Sequence, residues 1–317
     1  MKLSIGICAH NEEANIEQVI CEVVEQTKTL GDYEVVVVAS GCTDRTVELV
    51  KGVAERESGI SLVVEKERTG KASALNLLFQ RFHGEVYVQV DADAMPAPNA
   101  IQALLERLGD SSVGAVSALP ALTNCNSVAA KVNDVLWSLH NLTQLLLTRE
   151  GRTGHLSGQL FVIRRSLCYA IPRSVVNDDA FLALRCTGRG YNIVFEPQAT
   201  VFVNPAGTLQ DLLIQRRRIV YGHLILRKLT GRSPCIFETC TVKEKMHILS
   251  IWTRRRHKEL PGLMILACLE LIAHLAARSD LRSYGNSHIV WRTARTTKRS
   301  LVSSRRPQSD SKLIKPV

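Results

Sequence analysis

The sequence predicts an α/β fold built on a mostly parallel, Rossmann-like central sheet, and three observations predict it. From Leu3 to Val90, apolar β-branched runs alternate strictly with segments whose apolar residues recur at helical spacing. The run Tyr33 to Ala39 contains four consecutive valines, Val35 to Val38, as a strand covered on both faces requires. Asp91-Ala-Asp93 stands directly after the strand Val86 to Val90, at the carboxyl end where open α/β sheets bind ligands.

Taken in order, Leu3 to Cys8 reads as the first strand. Ile16, Val19, Ile20, Val23 and Val24 then form one face of a helix. After the Tyr33 strand, Val47, Val50, Val53 and Ala54 make a second helical stripe, with Thr43 or Asp44 as its N-cap. Ile60 to Val64 is a third strand. Leu75, Leu78, Phe79 and Phe82 mark a third helix before the Val86 strand. Such alternation implies right-handed crossovers and a parallel sheet. Farther on, Val128 to Leu147 reads as a long helix, residues 155–163 and 192–203 as strands, and Asp178 to Thr187 as a helix between them. Gln210 to Lys228 is a basic helix or a pair of turns.

Leu260 to Ala277 is apolar nearly all round, apart from Glu270 and His274. From Gly262 it would run about 24 Å, short of the ~30 Å hydrocarbon core of a bilayer. Glu270 and His274 share one face, and a central carboxylate is costly in lipid. A buried or interfacial helix is therefore expected here.

At 317 residues, with 45% hydrophobic and 22% charged residues, the chain is long and apolar enough to be globular. Its net charge of +10 is concentrated from Arg254-Arg-Arg256 onward, including Arg278, Arg282, Arg292, Arg295, Lys298, Arg299, Arg305 and Arg306. Such a segment suits an anionic leaflet, a polyanionic substrate or simply solvent. Nine scattered cysteines without a Cys-x-x-Cys pair read as reduced thiols in a cytoplasmic protein. The N-terminus enters a strand directly and lacks the apolar region of a signal peptide.

The chemistry concentrates in loops that leave the carboxyl ends of the strands. Two clustered Asp residues call for a compensating cation, and hard divalent ions take such ligands together with substrate phosphates. His10-Asn-Glu-Glu13, Ser40-Gly-Cys-Thr-Asp44 and Arg68-Thr-Gly70-Lys71 follow the first three strands. Singly, each residue suits a cap or turn; together they line one rim, where Arg68 and Lys71 would meet phosphate. Later come Gly154-His-Leu-Ser-Gly158, Arg164-Arg165, Asn177-Asp178-Asp179 and Gln215-Arg-Arg-Arg218-Ile-Val-Tyr-Gly222.

In this order, over about residues 3–222, these motifs resemble those of the family 2 glycosyltransferases. The resemblance implies a GT-A fold over residues 1–230; the composition beyond it predicts a helical region over 231–300, buried or membrane-interfacial, and a basic disordered tail over 301–317. The resemblance also implies inverting transfer from a nucleotide-sugar donor, foremost a UDP-sugar, to a carbohydrate or lipid-linked acceptor, with Mg²⁺ or Mn²⁺. By the same resemblance Asp93 would hold the metal and Asp91 would touch ribose or sugar. Asp179 would be the general base, beside Asp178. Glu12, Asp44, Arg68 and Lys71 would hold the nucleotide, and Gly158, with Arg164 and Arg165, would line the donor sugar. Gln215, Arg216 and Arg218 would serve the acceptor and the diphosphate.

The chain departs from the family in two places. Ala39-Ser40 stands where relatives often carry two carboxylates, and Ile219 where processive members carry Trp, which implies single additions. The expected setting is cytoplasmic, with peripheral contact to the inner face of an anionic membrane and no nucleic-acid partner. Rival readings are a polyprenyl-phosphate sugar transferase, a nucleotidyltransferase and a non-enzymatic anion-binding protein.

Overall fold

A computed structural model describes residues 2–152, 154–283, 290 and 297–301. The expected alternation is present: β1 (Leu3–Ala9), α1 (Ile16–Lys28), β2 (Tyr33–Ser40), α2 (Thr46–Arg56), β3 (Ile60–Glu65), α3 (Lys71–Arg81) and β4 (Val86–Asp91). The sheet continues through β5 (Ala94–Pro96), α4 (Ala100–Leu108), β6 (Val113–Leu122), α5 (Val128–Arg149), β7 (Leu160–Arg164), α6 (Asp178–Gly188) and β8 (Asn192–Val203). Three helices close the described chain: α7 (Leu209–Thr230), α8 (Val242–Arg256) and α9 (Leu260–Ser283).

Eight strands form one sheet in the order β3-β2-β1-β4-β7-β6-β8-β5. Four of its pairings are parallel. The three made by β7 and β5 are antiparallel. The parallel half is registered so that Cys8 lies beside Asp91, Ala9 beside Ala39 and Ser40 beside Glu65. The loops after β1, β2, β3 and β4 therefore open on the same edge. Leu3, Ile5, Val88 and Ile101 pack on one face of the sheet. Leu75, Leu78, Phe161 and Leu182 pack on the other. Burial on both sides explains why Tyr87 and Gln89 are as inaccessible as the valines between them.

The sequence reading missed β5, α4 and β6. β5 is only three residues long, and β6 is built largely of Ala, Gly, Leu and Pro rather than β-branched residues. Every position of β6 is buried, so it shows no alternation. The strand expected from residue 155 begins at Leu160. The segment Gln210 to Lys228 lies within the single helix α7, whose N-cap Thr208 accepts a hydrogen bond from the Asp211 amide.

The C-terminal helices belong to the same packed body. Leu139 and Leu142 of α5, Leu212 of α7, Ile248 and Trp252 of α8, and Leu266 and Leu269 of α9 share one apolar cluster. The fully buried Trp252 indole donates to Ser138 Oγ at 2.8 Å. Arg256, nearly buried, pairs with Asp134 of α5.

α9 has two faces. Leu266, Leu269, Ala273, Ala277 and Asp280 point inward. Met264, Ile265, Cys268, Leu271, Ile272 and Leu275 form an exposed apolar stripe at helical spacing. Glu270 turns inward and bonds Arg216, which accounts for a carboxylate in so apolar a helix. Val242–Ser283 is the one stretch among the described residues long and apolar enough to cross a membrane, and 22% of its most apolar window is buried. Leu301 is buried, and the rest of the expected tail lies outside the described residues.

Trp252→Ala should remove the centre of the C-terminal cluster and orphan Ser138, lowering unfolding free energy by about 3–5 kcal/mol. Chemical denaturation checks this, and Trp252→Phe should lose less.

Candidate active site

Above the carboxyl edge of β1, β2 and β4 lies a cavity of about 1100 Å³. Glu12, Arg68, Lys71, Asp91, Asp93, Gly158, Asp178, Asp179, Gln215, Arg216 and Arg218 all line it. Of the site residues expected from sequence, Asp44, Arg164 and Arg165 do not. The Asp44 carboxylate instead accepts the Thr46 amide at 3.0 Å and the Glu13 amide at 3.1 Å, fixing the two neighbouring loops to each other. Asp44 is thus a brace for the rim, while the N-cap of α2, expected at Thr43 or Asp44, is Arg45 and has no side-chain cap bond.

The Asp91-Ala-Asp93 turn is held at both ends, by β4 before it and by β5 pairing with β8 after it. The Asp91 amide donates to Gln159 O at 3.0 Å. From below, buried Tyr87 bonds Gln89, whose amide reaches Asp91 Oδ1 at 3.3 Å. Lys71 opens α3 after Gly70, whose φ of 102° suits glycine. Its Nζ lies 2.7 Å from Asp91 Oδ1 and 3.5 Å from Asp178 Oδ2. Lys71 therefore starts from carboxylates on two separate elements, with its ammonium at their centre.

Asp178 and Asp179 form the first turn of α6, where the helix dipole favours negative charge. Asp179 Oδ1 accepts the Ala180 amide at 2.6 Å. A side chain at Gly158 would come within 3.1 Å of Asp179 Oδ2 and 3.6 Å of Lys71 Nζ, so the loop before β7 passes close over both. Gly222 makes a tighter approach: a Cβ there would sit 2.3 Å from Asn177 Oδ1. Asn177 also donates to Ile219 O at 2.9 Å. This contact seats α7 against the start of α6 and brings Arg218 to the carboxylates.

The electrostatics follow from this crowding. Burial, with Asp179 and Asp91 nearby, raises Asp178 to about 6 against the pull of Lys71. Burial also raises Asp179, opposed by Lys71 and the Ala180 amide, with Asp91 adding to the rise. Asp93 is raised by burial and by Asp91. Glu12 is raised to about 8 by burial and by Asp93. Asp179 and Asp93 thus flank Asp91 in one pocket. Glu12 Oε2 has no hydrogen-bond partner.

Two expectations need correction. Arg164 and Arg165 cannot line the donor sugar, because β7 runs antiparallel to β4 and carries Arg164 to the level of Val86. There Arg164 bonds Val113 O, Leu108 O and Asp110 O. Arg216 lines the cavity, but its guanidinium is shared by Glu270 and Glu238, at 2.5 and 2.9 Å.

Sequence reasoning missed Lys298. Its ammonium bonds His10 O, Asn11 O at 2.8 Å and Glu12 Oε1 at 2.6 Å. Asn15 and Asn204 hold the backbone of Thr297–Leu301 in place. In the sequence this lysine was one charge in a basic run, with nothing to single it out. His140, His155 and His223 were also missed, being scattered through three segments that the cavity joins.

The α/β sheet and its strand-end carboxylates define the architecture, and comparison places the chain in a family. Residues 4–171 match Glycosyl transferase family 2, and residues 88–291 match Glycosyl transferase family group 2. The chain belongs to glycosyltransferase family 2 and has a GT-A fold.

Among curated proteins it is 29% identical over 237 residues to the probable glycosyltransferase YdaM of Bacillus subtilis (strain 168), covering 70% of this chain and 55% of that protein. It is 25% identical over 221 residues to the poly-beta-1,6-N-acetyl-D-glucosamine synthase of Staphylococcus aureus (strain COL), covering 68% and 53%. The chain thus spans about half the length of these relatives. Among solved structures, the mannosyltransferase PcManGT from Pyrobaculum calidifontis, in complex with GDP-Man and Mn²⁺, superimposes with a TM-score of 0.61 at 24% identity. That match covers 89% of this chain and 75% of the other.

The raised Glu12 carboxyl makes a pH prediction. An unfolded Glu titrates near 4.5, so between that value and about 8 the folded state holds the proton more tightly. The corresponding stability is fully present below about pH 4.5 and is lost as pH rises through about 8. Asp178 acts in the same direction over a lower range. Thermal unfolding against pH should show this decline in the free protein, and Glu12→Gln should flatten its upper part.

Proposed function

We propose that this chain is an inverting glycosyltransferase that moves a sugar from a nucleotide diphosphate to an acceptor hydroxyl. The observation that carries the reading is the meeting of Asp91, Asp93, Lys71, Asp179 and Arg218 in one cavity. Asp179 is the general base. Its raised pKa brings it nearer to neutrality, where a base is most effective, and its open oxygen faces Gly158 and Lys71. As it takes the acceptor proton, the acceptor oxygen attacks the anomeric carbon and the bond to the diphosphate breaks. Arg218, buried beside Asp178 and Asp179, and Lys71 oppose the charge on the departing phosphate.

Glu12, Arg68 and the backbone around Gly41 and Gly70 form the nucleotide end. A Cβ on Gly41 would lie 2.7 Å from Arg68 N, so these two loops touch. The residues fit a divalent cation: burial beside Asp91 raises Asp93, Glu12 senses Asp93, and Glu12 Oε2 is a buried oxygen without a hydrogen-bond partner. One or two carboxylates completed by substrate phosphates is the usual Mg²⁺ arrangement. Mg²⁺ or Mn²⁺ held by Asp93, with Asp91 beside it, would supply charge neutralisation for the diphosphate. UDP-sugars are the first donors to test, with GDP-sugars second. Polysaccharide, glycolipid or other cell-envelope synthesis is the proposed setting.

The exposed stripe of α9 favours a peripheral membrane contact. Arg254, Arg255 and Lys258 are exposed just before it, where an anionic leaflet would meet them. Sedimentation with vesicles should show binding that grows with anionic lipid and weakens in high salt. Leu271→Glu with Leu275→Glu should abolish it.

Asp179→Asn should keep metal-dependent nucleotide binding and lower transfer by about 10²–10⁴. Calorimetry and product assay together check this, and normal turnover by the variant refutes the base. Asp93→Asn should weaken nucleotide binding in Mn²⁺ down to the level seen in chelator.

A further inference from the structure

Beyond the carboxylates the cavity continues to a wall that no part of the donor chemistry uses. Trp137 and His140 of α5, His155 of the loop before β7 and His223 of α7 meet there edge to face. The ring centroids are 5.4 Å apart for Trp137–His140 and 6.1 Å for both His140–His155 and His155–His223. His140 Nε2 lies 3.2 Å from Ser157 Oγ. His155 is 93% buried at a relative exposure of 7%, and its Nδ1 has no hydrogen-bond partner. A buried polar atom left unpaired is costly and calls for a ligand or water.

The guanidinium at this wall is already matched. Arg216 is held by Glu270 and Glu238, and Lys245 donates to Glu238 O at 2.9 Å. Burial holds His140 and His155 down to about 3 and about 4, and lowers His223 well below its usual range, so the rings are neutral at physiological pH. A neutral imidazole offers one donor and one acceptor, as a sugar hydroxyl does. An indole beside them adds apolar surface to the polar one. The four rings themselves offer a phosphate no positive charge. Perpendicular rings this far apart do not converge on a metal, and no such cluster exists among the described residues.

The wall is tied directly to the reacting end. His155 is three residues from Gly158, which passes over Asp179, so at most about 10 Å of chain separates them. We infer that Trp137, His140, His155 and His223 form the acceptor subsite, and that it takes an uncharged, polyhydroxylated sugar unit rather than a phosphate head group. The inference rests on the glycosyltransferase reading and narrows its acceptor.

The test uses the full chain labelled with ¹⁵N-histidine, saturated with UDP or GDP and Mn²⁺. It is titrated with cellotetraose, with tetra-N-acetylchitotetraose and, separately, with farnesyl phosphate. The ring resonances of His155 and His223 should shift with at least one oligosaccharide, while those of the exposed His83 and His247 stay fixed. His223→Leu should weaken that oligosaccharide about tenfold or more, and His223→Gln much less, with nucleotide affinity unchanged in both. Shifts with farnesyl phosphate alone, or with none of the three, overturn the inference. Failure of both nucleotides to bind with Mn²⁺ instead removes the donor reading, and the oligosaccharide titration still judges the wall.

Discussion

The first turn of α3 puts a buried ammonium between Asp91 and Asp178, and the carboxylates around it are set against it. Carboxylates withdrawn from water tolerate one another only near compensating cations. Here Asp91, Asp178 and Asp179 all sense Lys71, while Glu12 and Asp93 sense Lys298. The arrangement requires strands from both halves of the sheet to end at one edge. β4 delivers Asp91, β1 delivers the Glu12 loop, and the antiparallel β7 carries Gly158 back over them. A slip of one residue between β1 and β4 would turn Asp91 away from Lys71.

That geometry explains what could be read from the residues alone. The parallel half was legible because its strands are β-branched and its helices carry apolar stripes at helical spacing. Asp91, Asp93, Asp178 and Asp179 were legible because each pair stands at the edge of such an element. The antiparallel half was harder. β6 is buried at every position and built of small residues, so it has neither alternation nor a strong strand preference. The misplacement of Arg164 has the same origin: its role depends on the direction of β7, and a strand's sequence does not state its direction. Arg216 was read from its neighbours in the motif, yet its partners Glu238 and Glu270 come from segments far along the chain.

The C-terminal helices do more than follow the sheet. α9 presents Glu270 and His274 to the cavity and an apolar stripe to the outside, so one helix is both wall and surface. Trp252 and Arg256 fix α8 to α5, which also carries Trp137 and His140. The floor of the pocket and its outer wall are therefore parts of one packed unit. A force applied to the outer stripe would reach Arg216 through a single helix.

Lys298 reaches back 286 residues to Glu12 and 288 to the carbonyl of His10. The loop after the first strand thus receives its neutralising contact from a segment made far later. While the chain is still being made, Glu12 and Asp93 lack that contact, and the nucleotide end of the crevice stays unfinished. Completion of the pocket is therefore tied to synthesis of this lysine, and a nascent chain stopped short of it would carry the sheet without its closing clasp.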